Sequence, residues 1–191
     1  IGMYIDTSGI NYTNPIEGLE NLKDLEEIHL LVGTEATRYT NAIDIKIGEN
    51  IISPYNKVIE NLSLTGSNQI TYRTKSASLT WIATPRPNDD GSFESIYLSK
   101  IPYTSFTKDK NTFNFADGLE QKYQKAAIGS REKELFNKLN GIGKGEPALL
   151  AQAVDEMMGH QYANTQQRIK ETSDILDKEF NYLRKDWQNF S

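Results

Sequence analysis

Cysteine is absent from these 191 residues, which excludes structural disulfides, thiolate metal sites and cysteine nucleophiles. Histidine is nearly so: His29 and His160 are the only two. They lie in different segments, and each reads as a satisfied or exposed side chain rather than a ligand or base. Long apolar runs are missing as well. No window approaches 18 apolar residues, so the chain has no candidate transmembrane helix. Positive charge is not concentrated anywhere, because the lysines and arginines are scattered among acids. With a net charge of -5 and a pI near 5.2, no basic face is offered to a phosphate backbone, and nucleic acid is excluded as a partner. The chain begins at Ile1 with no initiator methionine, basic n-region or apolar h-region, which predicts a segment of a longer polypeptide with any export signal elsewhere.

What is present describes a folded, somewhat polar chain. Hydrophobic residues make up 37%, charged residues 25% and aromatics 10%, and mean hydropathy is -0.59, values of an ordered domain and not of a disordered one. The length suits one sizeable core, two small ones or one elongated unit.

The first half is patterned for strands. Gly2 to Ile5 is a short β-type run ending in the turn-forming cluster Asp6-Thr7-Ser8-Gly9. Leu19, Leu22, Leu25 and Ile28 step by three, as in a helical or solenoid-like coil, and Ile28 to Val32 reads as a buried strand before Gly33. Ile43, Ile45 and Ile47 alternate with polar neighbours, predicting a half-buried strand closed by Gly48. Ser53 and Pro54 form an N-cap and N1 pair for a helix carrying Tyr55, Val58, Ile59 and Leu62, closed by Gly66. From Gln69 to Ala83 the chain is rich in Thr, Ser and aromatics, with Leu79, Trp81 and Ala83 on one face. Pro85 to Gly91 is a turn, and Phe93 to Ile101 returns, predicting an antiparallel hairpin with a long wet tip.

Past Lys108 the period becomes helical. Phe115, Leu119, Tyr123 and Ala127 form one stripe ended by Gly129. Ser130 caps a second, with Leu135, Phe136 and Leu139, ended by Gly141. Gly141 to Gly145 with Pro147 reads as a flexible joint, and Leu149, Leu150, Ala153, Val154, Met157 and Met158 make a broad apolar face up to Gly159. Residues 1–108 are thus predicted to be β-rich and residues 109–191 helical, an α+β chain.

The final segment has the most regular pattern. From Gln161 to Phe190, the residues Tyr162, Ile169, Leu176, Leu183 and Phe190 recur every seventh position, with Phe180 and Trp187 on the alternate sites of the seam and Gln166 and Ser173 weakening it. A helix of about 30 residues is roughly 45 Å long. Its other faces carry Arg168, Lys170, Glu171, Asp174, Asp177, Lys178, Glu179, Arg184, Lys185 and Asp186, which excludes lipid as its surroundings but suits a wet lumen. From periodicity alone, an ordinary amphipathic helix packed on its own domain or in a coiled coil is the readier account.

Motifs with chemical meaning are few. Asp6-Thr7-Ser8-Gly9 evokes the Asp-Thr/Ser-Gly triplet of aspartic proteases, but an extra serine interrupts it and the second copy is absent. Gly141-Ile142-Gly143-Lys144-Gly145 follows a helix rather than a strand and lacks the phosphate-loop spacing. Asp89, Asp90 and Glu94 lack calcium-loop spacing and read as a solvated turn. Asn11-Tyr12-Thr13 matches a glycosylation sequon. No nucleophile, base and oxyanion donor come together, so the sequence predicts no catalytic, cofactor-binding or metal-ligating residue, and no enzyme.

The stretch from Ala148 to Phe190, beginning Ala-Leu-Leu-Ala-Gln-Ala-Val-Asp-Glu-Met-Met-Gly-His-Gln-Tyr-Ala, resembles the segment before the β-barrel of type V autotransporters. There, a motif of the kind Ala-Leu-x-x-Leu-Ser-Gly-Glu-x-Tyr-Ala precedes a helix that threads the barrel pore. Val154, Met157, Gly159, Tyr162 and Ala163 stand at comparable positions, although Met-Met-Gly-His-Gln departs from Leu-Ser-Gly-Glu. Ile1-Gly-Met-Tyr-Ile-Asp-Thr-Ser-Gly and Tyr97-Leu-Ser-Lys-Ile-Pro-Tyr-Thr-Ser-Phe are similar to passenger-end segments of the large fusobacterial autotransporter adhesins.

That resemblance implies a bacterial outer-membrane, cell-surface location, with a β-solenoid passenger before this segment and a β-barrel after it. Gln161 to Phe190 is then the linker helix and Gln69 to Ile101 a terminal cap with an autochaperone role. The self-cleaving subgroup uses an Asn-Asn pair, whereas this linker has Asn164-Thr165 and Asn181-Tyr182. The function implied is a non-enzymatic junction module that caps the passenger, assists its folding and links it to the barrel of the same polypeptide. The alternative is an adhesin module touching a host protein or glycan through the Pro85 to Gly91 tip or the face around Tyr97, Tyr103 and Phe106.

Overall fold

The computed structural model describes residues 1–10, 13–22, 24–65, 70–159, 170 and 173–174. The predicted linker helix, 161–190, lies outside the described residues but for Lys170, Ser173 and Asp174. Two compact units divide the chain, Ile1–Leu150 and Ala151–Ser191. The first is α+β and holds all the strands among the described residues.

Three strands, β1 (Gly2–Ile5), β2 (Glu27–Val32) and β4 (Thr71–Ser76), form a parallel sheet in the order β1-β2-β4. Their register aligns Met3 with Leu30 and Thr74, and Ile5 with Val32 and Ser76, on one face. Period-two alternation explains the burial: Met3, Ile5, Ile28, Leu30 and Val32 are buried while Tyr4 and Leu31 on the opposite face are exposed. The apolar run from Ile28 to Val32 reads as a buried strand; in the fold only one of its faces is buried, and Leu31 is 40% exposed. Along the buried face the aligned rows end in Tyr72, Thr74 and Ser76, so at β4 the aliphatic side chains give way to hydroxyl-bearing ones.

The second sheet is antiparallel in the order β3-β6-β5, with β3 (Asp44–Ile47), β5 (Trp81–Pro87) and β6 (Phe93–Lys100). Ile47 faces Ile96, and Ala83 faces Leu98, all four buried. Trp81 is buried to 1% exposure, as its place on the strand face predicts. The hairpin expectation holds with a shorter tip: Pro85 and Pro87 lie within β5, an edge strand where a missing N–H costs least, and the turn is Asn88 to Ser92. There the Asn88 N–H donates to the Ser92 carbonyl at 2.7 Å and Gly91 takes φ +86°, a conformation that favours glycine. Thr71 to Ser76 does not join this hairpin; as strand β4 it pairs with β2.

Helix α1 (Glu49–Thr65) ties the two sheets together. Its Tyr55 hydroxyl donates to the Tyr4 carbonyl at 2.6 Å, and its Asn56 amide exchanges two hydrogen bonds with the Phe93 backbone at 2.8 and 2.9 Å. Pro54 does not start this helix. Residues Glu49 to Ser53 precede it in helical conformation, because burying Ile51 and Ile52 against the core outweighs the one backbone bond that proline removes.

Helix α2 (Lys110–Tyr123) is capped by Asp109, whose carboxylate accepts from the Asn111 and Thr112 N–H groups. It ends at Tyr123, four residues short of the predicted stripe, and Ala126, not Ala127, is the buried alanine. Helix α3 (Arg131–Asn140) starts at Ser130, which accepts the Lys133 N–H at 3.1 Å, the cap expected from sequence. Gly141 to Gly145 is not a free joint. The Leu79 N–H donates to the Ile142 carbonyl at 2.8 Å and the Lys144 N–H to the Ala77 carbonyl at 3.0 Å, with an antiparallel bridge between Ser78 and Gly143. Helix α4 (Pro147–Met157) follows. Within the second unit Val154 is buried and the helix closes at Gly159, φ +80°.

Candidate functional site

Two polar constellations stand out in the first unit, and one of them is open. Glu35, in a short 3-10 turn (Glu35–Tyr39) after β2, receives the Tyr4 hydroxyl on Oε1 at 2.5 Å and the Thr7 N–H on Oε2 at 3.0 Å. The Thr7 hydroxyl sits 3.1 Å from both Glu35 Oε2 and the Gly33 carbonyl oxygen and accepts the Ala36 N–H. Each oxygen of the carboxylate thereby accepts at least one hydrogen bond. Partial burial, then donation to Glu35, push the Tyr4 phenol far above its ordinary range.

Glu35 and Tyr4 form one wall of a cavity of about 190 Å³, with Thr34, Thr37, Arg38, Ser78, Asn137 and Asn140 among its other lining residues. The opposite wall is built by α3. Thr34 donates from its hydroxyl to the Asn140 carbonyl at 3.1 Å, and the Asn140 amide donates to the Thr37 hydroxyl at 3.2 Å. Asn137 Oδ1 is buried and has no hydrogen-bond partner. Arg38 is exposed and forms no ion pair among the described residues. Arg38, Asn137 and Gly141 also line an adjoining groove of about 550 Å³, whose apolar contributors are Ile142 and Leu149. The cavity therefore presents the exposed Arg38 guanidinium, while Asn137 Oδ1 is sealed from solvent.

The second constellation is closed. Lys100 on β6 lies 2.5 Å from Glu120 Oε2 with its side chain 1% exposed, and its ammonium is 3.6 Å from the centre of the Tyr103 ring. Tyr103, Tyr123 and Phe136 pack edge-on and stacked around it. Lys133, also buried, donates to the Thr40 carbonyl at 2.6 Å. Burial depresses both lysines below their usual range, Lys100 in spite of Glu120, and raises Tyr103 and Tyr123, the latter to about 12. This cluster joins β6, α2 and α3. With the Lys100 side chain sealed from solvent, it acts as a bolt.

The residues singled out in the sequence are distributed elsewhere. Asp6 receives the Ser8 N–H at 2.7 Å and Gly9 takes φ +84°, so the protease-like triplet is a local turn. Asp90 accepts the Ser92 hydroxyl and N–H, which holds its carboxyl below the ordinary range, and Glu94 pairs with Lys46 and Arg86. Among the described residues no cluster of three or more His, Cys, Asp or Glu is disposed to hold a metal. In the glycine-rich stretch the Gly143 N–H is taken by Glu146 at 2.9 Å, which puts a carboxylate where a phosphate would need to sit. His29 contacts Glu27 at 2.7 Å on the half-exposed face of β2. His160, Asn11, Tyr12 and the linker asparagines lie outside the described residues. The expected binding face is corrected at one residue: Tyr103 is 2% exposed and belongs to the bolt.

Tyr4, Glu35, Arg38 and Asn137 were not singled out in the sequence. Their only local signal was Gly33 after an apolar run, a glycine whose added Cβ would collide with Glu35 and Tyr4. Comparison with protein-family models, with curated proteins and with solved structures gives no match.

Proposed function

We propose that this chain is a non-enzymatic junction module of a surface autotransporter adhesin, closing the passenger, assisting its folding and leading into an outer-membrane barrel of the same polypeptide. The observation that carries the reading is the in-register parallel stack β1-β2-β4, in which each later strand is added on the same side of the one before. Strands stacked this way are the repeating element of a β-solenoid. On this reading β1 and β2 continue the solenoid and β4 ends it, because all three of its residues aligned with the apolar ladder, Tyr72, Thr74 and Ser76, carry hydroxyls. The antiparallel sheet and α1 then serve as the cap, a terminal element of the sort repeat architectures require for solubility. No helix among the described residues is long and apolar enough to cross a membrane.

The test lies in the segment the resemblance makes a linker. Replacing Leu176, Phe180 and Leu183 by Asp in the full-length polypeptide is expected to impair surface display of the passenger while residues 1–150 still fold. Surface protease accessibility in intact cells measures display. Normal display by the triple variant overturns the junction reading.

A further inference from the structure

We infer that the outer edge of β4 is a docking site for an extended segment of a partner protein, added to the sheet as a further strand and carrying acidic residues at alternate positions. β4 ends the parallel sheet. The Thr71 N–H donates to the Glu26 carbonyl at 2.9 Å and the Ala77 N–H to the Val32 carbonyl at 2.8 Å, so the odd-numbered residues of this strand turn their backbone groups toward β2. In a parallel ladder the N–H and C=O of one residue point to the same side, which leaves those of Tyr72 and Thr74 turned outward. No group among the described residues bonds to them. Such an edge is a template for another strand. Thr71–Ser76 is six residues long and contains no proline or glycine, whereas the free edge of the other sheet, β5, carries Pro85 and Pro87.

Charge selects the occupant. Thr71, Arg73 and Lys75 are exposed on one face of the strand, and Tyr72 and Thr74 are half-buried on the other. A strand added about 4.8 Å away sets alternate side chains beside Arg73 and Lys75, where opposite charges attract and like charges repel. Lys75 has no ion pair among the described residues. Arg73 bonds through Nε to Glu27, and its side chain is still 61% exposed. Glu27 stands on β2, one strand further from the newcomer, and already contacts both Arg73 and His29. The side of the face nearest the newcomer is therefore cationic. A second copy of the chain fits poorly, because two β4 edges related by a two-fold axis set Arg73 and Lys75 of one against those of the other. Positions facing Tyr72 and Thr74 suit β-branched residues, which pack well on a half-buried pleat. The inference concerns the first unit alone and is independent of the junction reading.

The probe is a short synthetic peptide alternating Glu with Val, titrated into the 191-residue chain and followed by amide NMR shifts and hydrogen exchange. Saturable shifts from Thr71 to Ser76, with slower exchange of the Tyr72 and Thr74 N–H groups, are expected. Two control peptides are expected not to saturate: one with Lys in place of Glu, and one that keeps Glu and Val but is N-methylated throughout, which preserves the charge and removes the backbone donors. Lys75→Glu, at an exposed position, is expected to weaken binding of the Glu peptide about fivefold, since it turns an attractive cross-strand pair into a repulsive one. No saturable shift with the Glu peptide, equal binding of either control, unchanged exchange at Tyr72 and Thr74, or a Lys75→Glu variant that binds unchanged overturns the inference. Concentration-dependent shifts at the same residues in the chain alone assign the edge to a second copy and overturn it as well.

Discussion

Lys100 and Glu120 meet at 2.5 Å across the junction of the antiparallel sheet with α2, the lysine side chain sealed from solvent and the glutamate four-fifths buried. Glu120 Oε2 also accepts the Tyr103 N–H at 3.1 Å, so one carboxylate holds both the ammonium and the backbone that precedes α2. A buried pair adds little net stability, but removing one partner strands the other charge, at about 3–5 kcal/mol. Glu120→Gln is therefore expected to lower the unfolding free energy by about 3 kcal/mol. The double variant Lys100→Met/Glu120→Gln, which keeps an acceptor for Tyr103 and removes the ammonium, is expected to regain most of it. Urea midpoints of the two variants check this; a double variant no more stable than the single one contradicts it.

The same bolt predicts an alkaline limit. Tyr103 and Tyr123 have folded pKa values above their ordinary 10.0, chiefly through burial. Above pH 10 the unfolded chain therefore releases their protons first, and stability falls as pH rises through the window up to about 12 for Tyr123. The lysines act with opposite sign at lower pH. Their folded pKa values lie below 10.5, so the unfolded state binds more protons there and their contribution grows as pH approaches 10.5. Stability is expected to rise gently toward about pH 10 and drop beyond it. Tyr123→Phe is expected to flatten the drop, as read from urea midpoints at stepped pH.

Trp81 anchors the second sheet. It is 1% exposed, and β5 pairs along its length with β6, so truncation leaves a large void that neighbouring strands cannot close. Trp81→Ala is expected to cost about 3–5 kcal/mol. A denaturant midpoint that barely moves would reassign Trp81 to the surface.

Features set by neighbours along the chain were legible in the sequence. Ser130 caps α3, Trp81 and Ala83 share a buried face and Gly129 takes φ +82°, because each depends on periodicity or on one residue's own backbone preference. Pro54 misled because its local signal was overruled by the burial of Ile51 and Ile52, which no cap pattern encodes. Tyr103 looked like a free aromatic since its partners, Tyr123 and Phe136, come from two later helices. The cavity was invisible for the same reason on a larger scale. It joins Tyr4 from β1, Glu35 and Arg38 from the turn after β2, and Asn137 from α3, and only the closed fold brings such distant positions together.

Gly33 is the position where the cavity and the stability of the fold meet. It is buried between β2 and the Glu35–Tyr39 turn, and its N–H donates to the Ile5 carbonyl at 2.9 Å. An added Cβ would press on the Tyr4 hydroxyl and both Glu35 oxygens, and Thr7 holds that carboxylate in place, so it cannot swing aside freely. Gly33→Ala is expected to destabilise by about 1–3 kcal/mol, the usual cost of overpacking. Tyr4→Phe removes the hydrogen bond to Glu35 and one of the three atoms in the way, and is expected to cost about 1 kcal/mol alone. Because both changes act on the same contact, the double variant is expected to lose less than the sum of the two. Strict additivity in a double-mutant cycle, measured by urea unfolding, would mean that the alanine methyl never reaches the Tyr4–Glu35 pair.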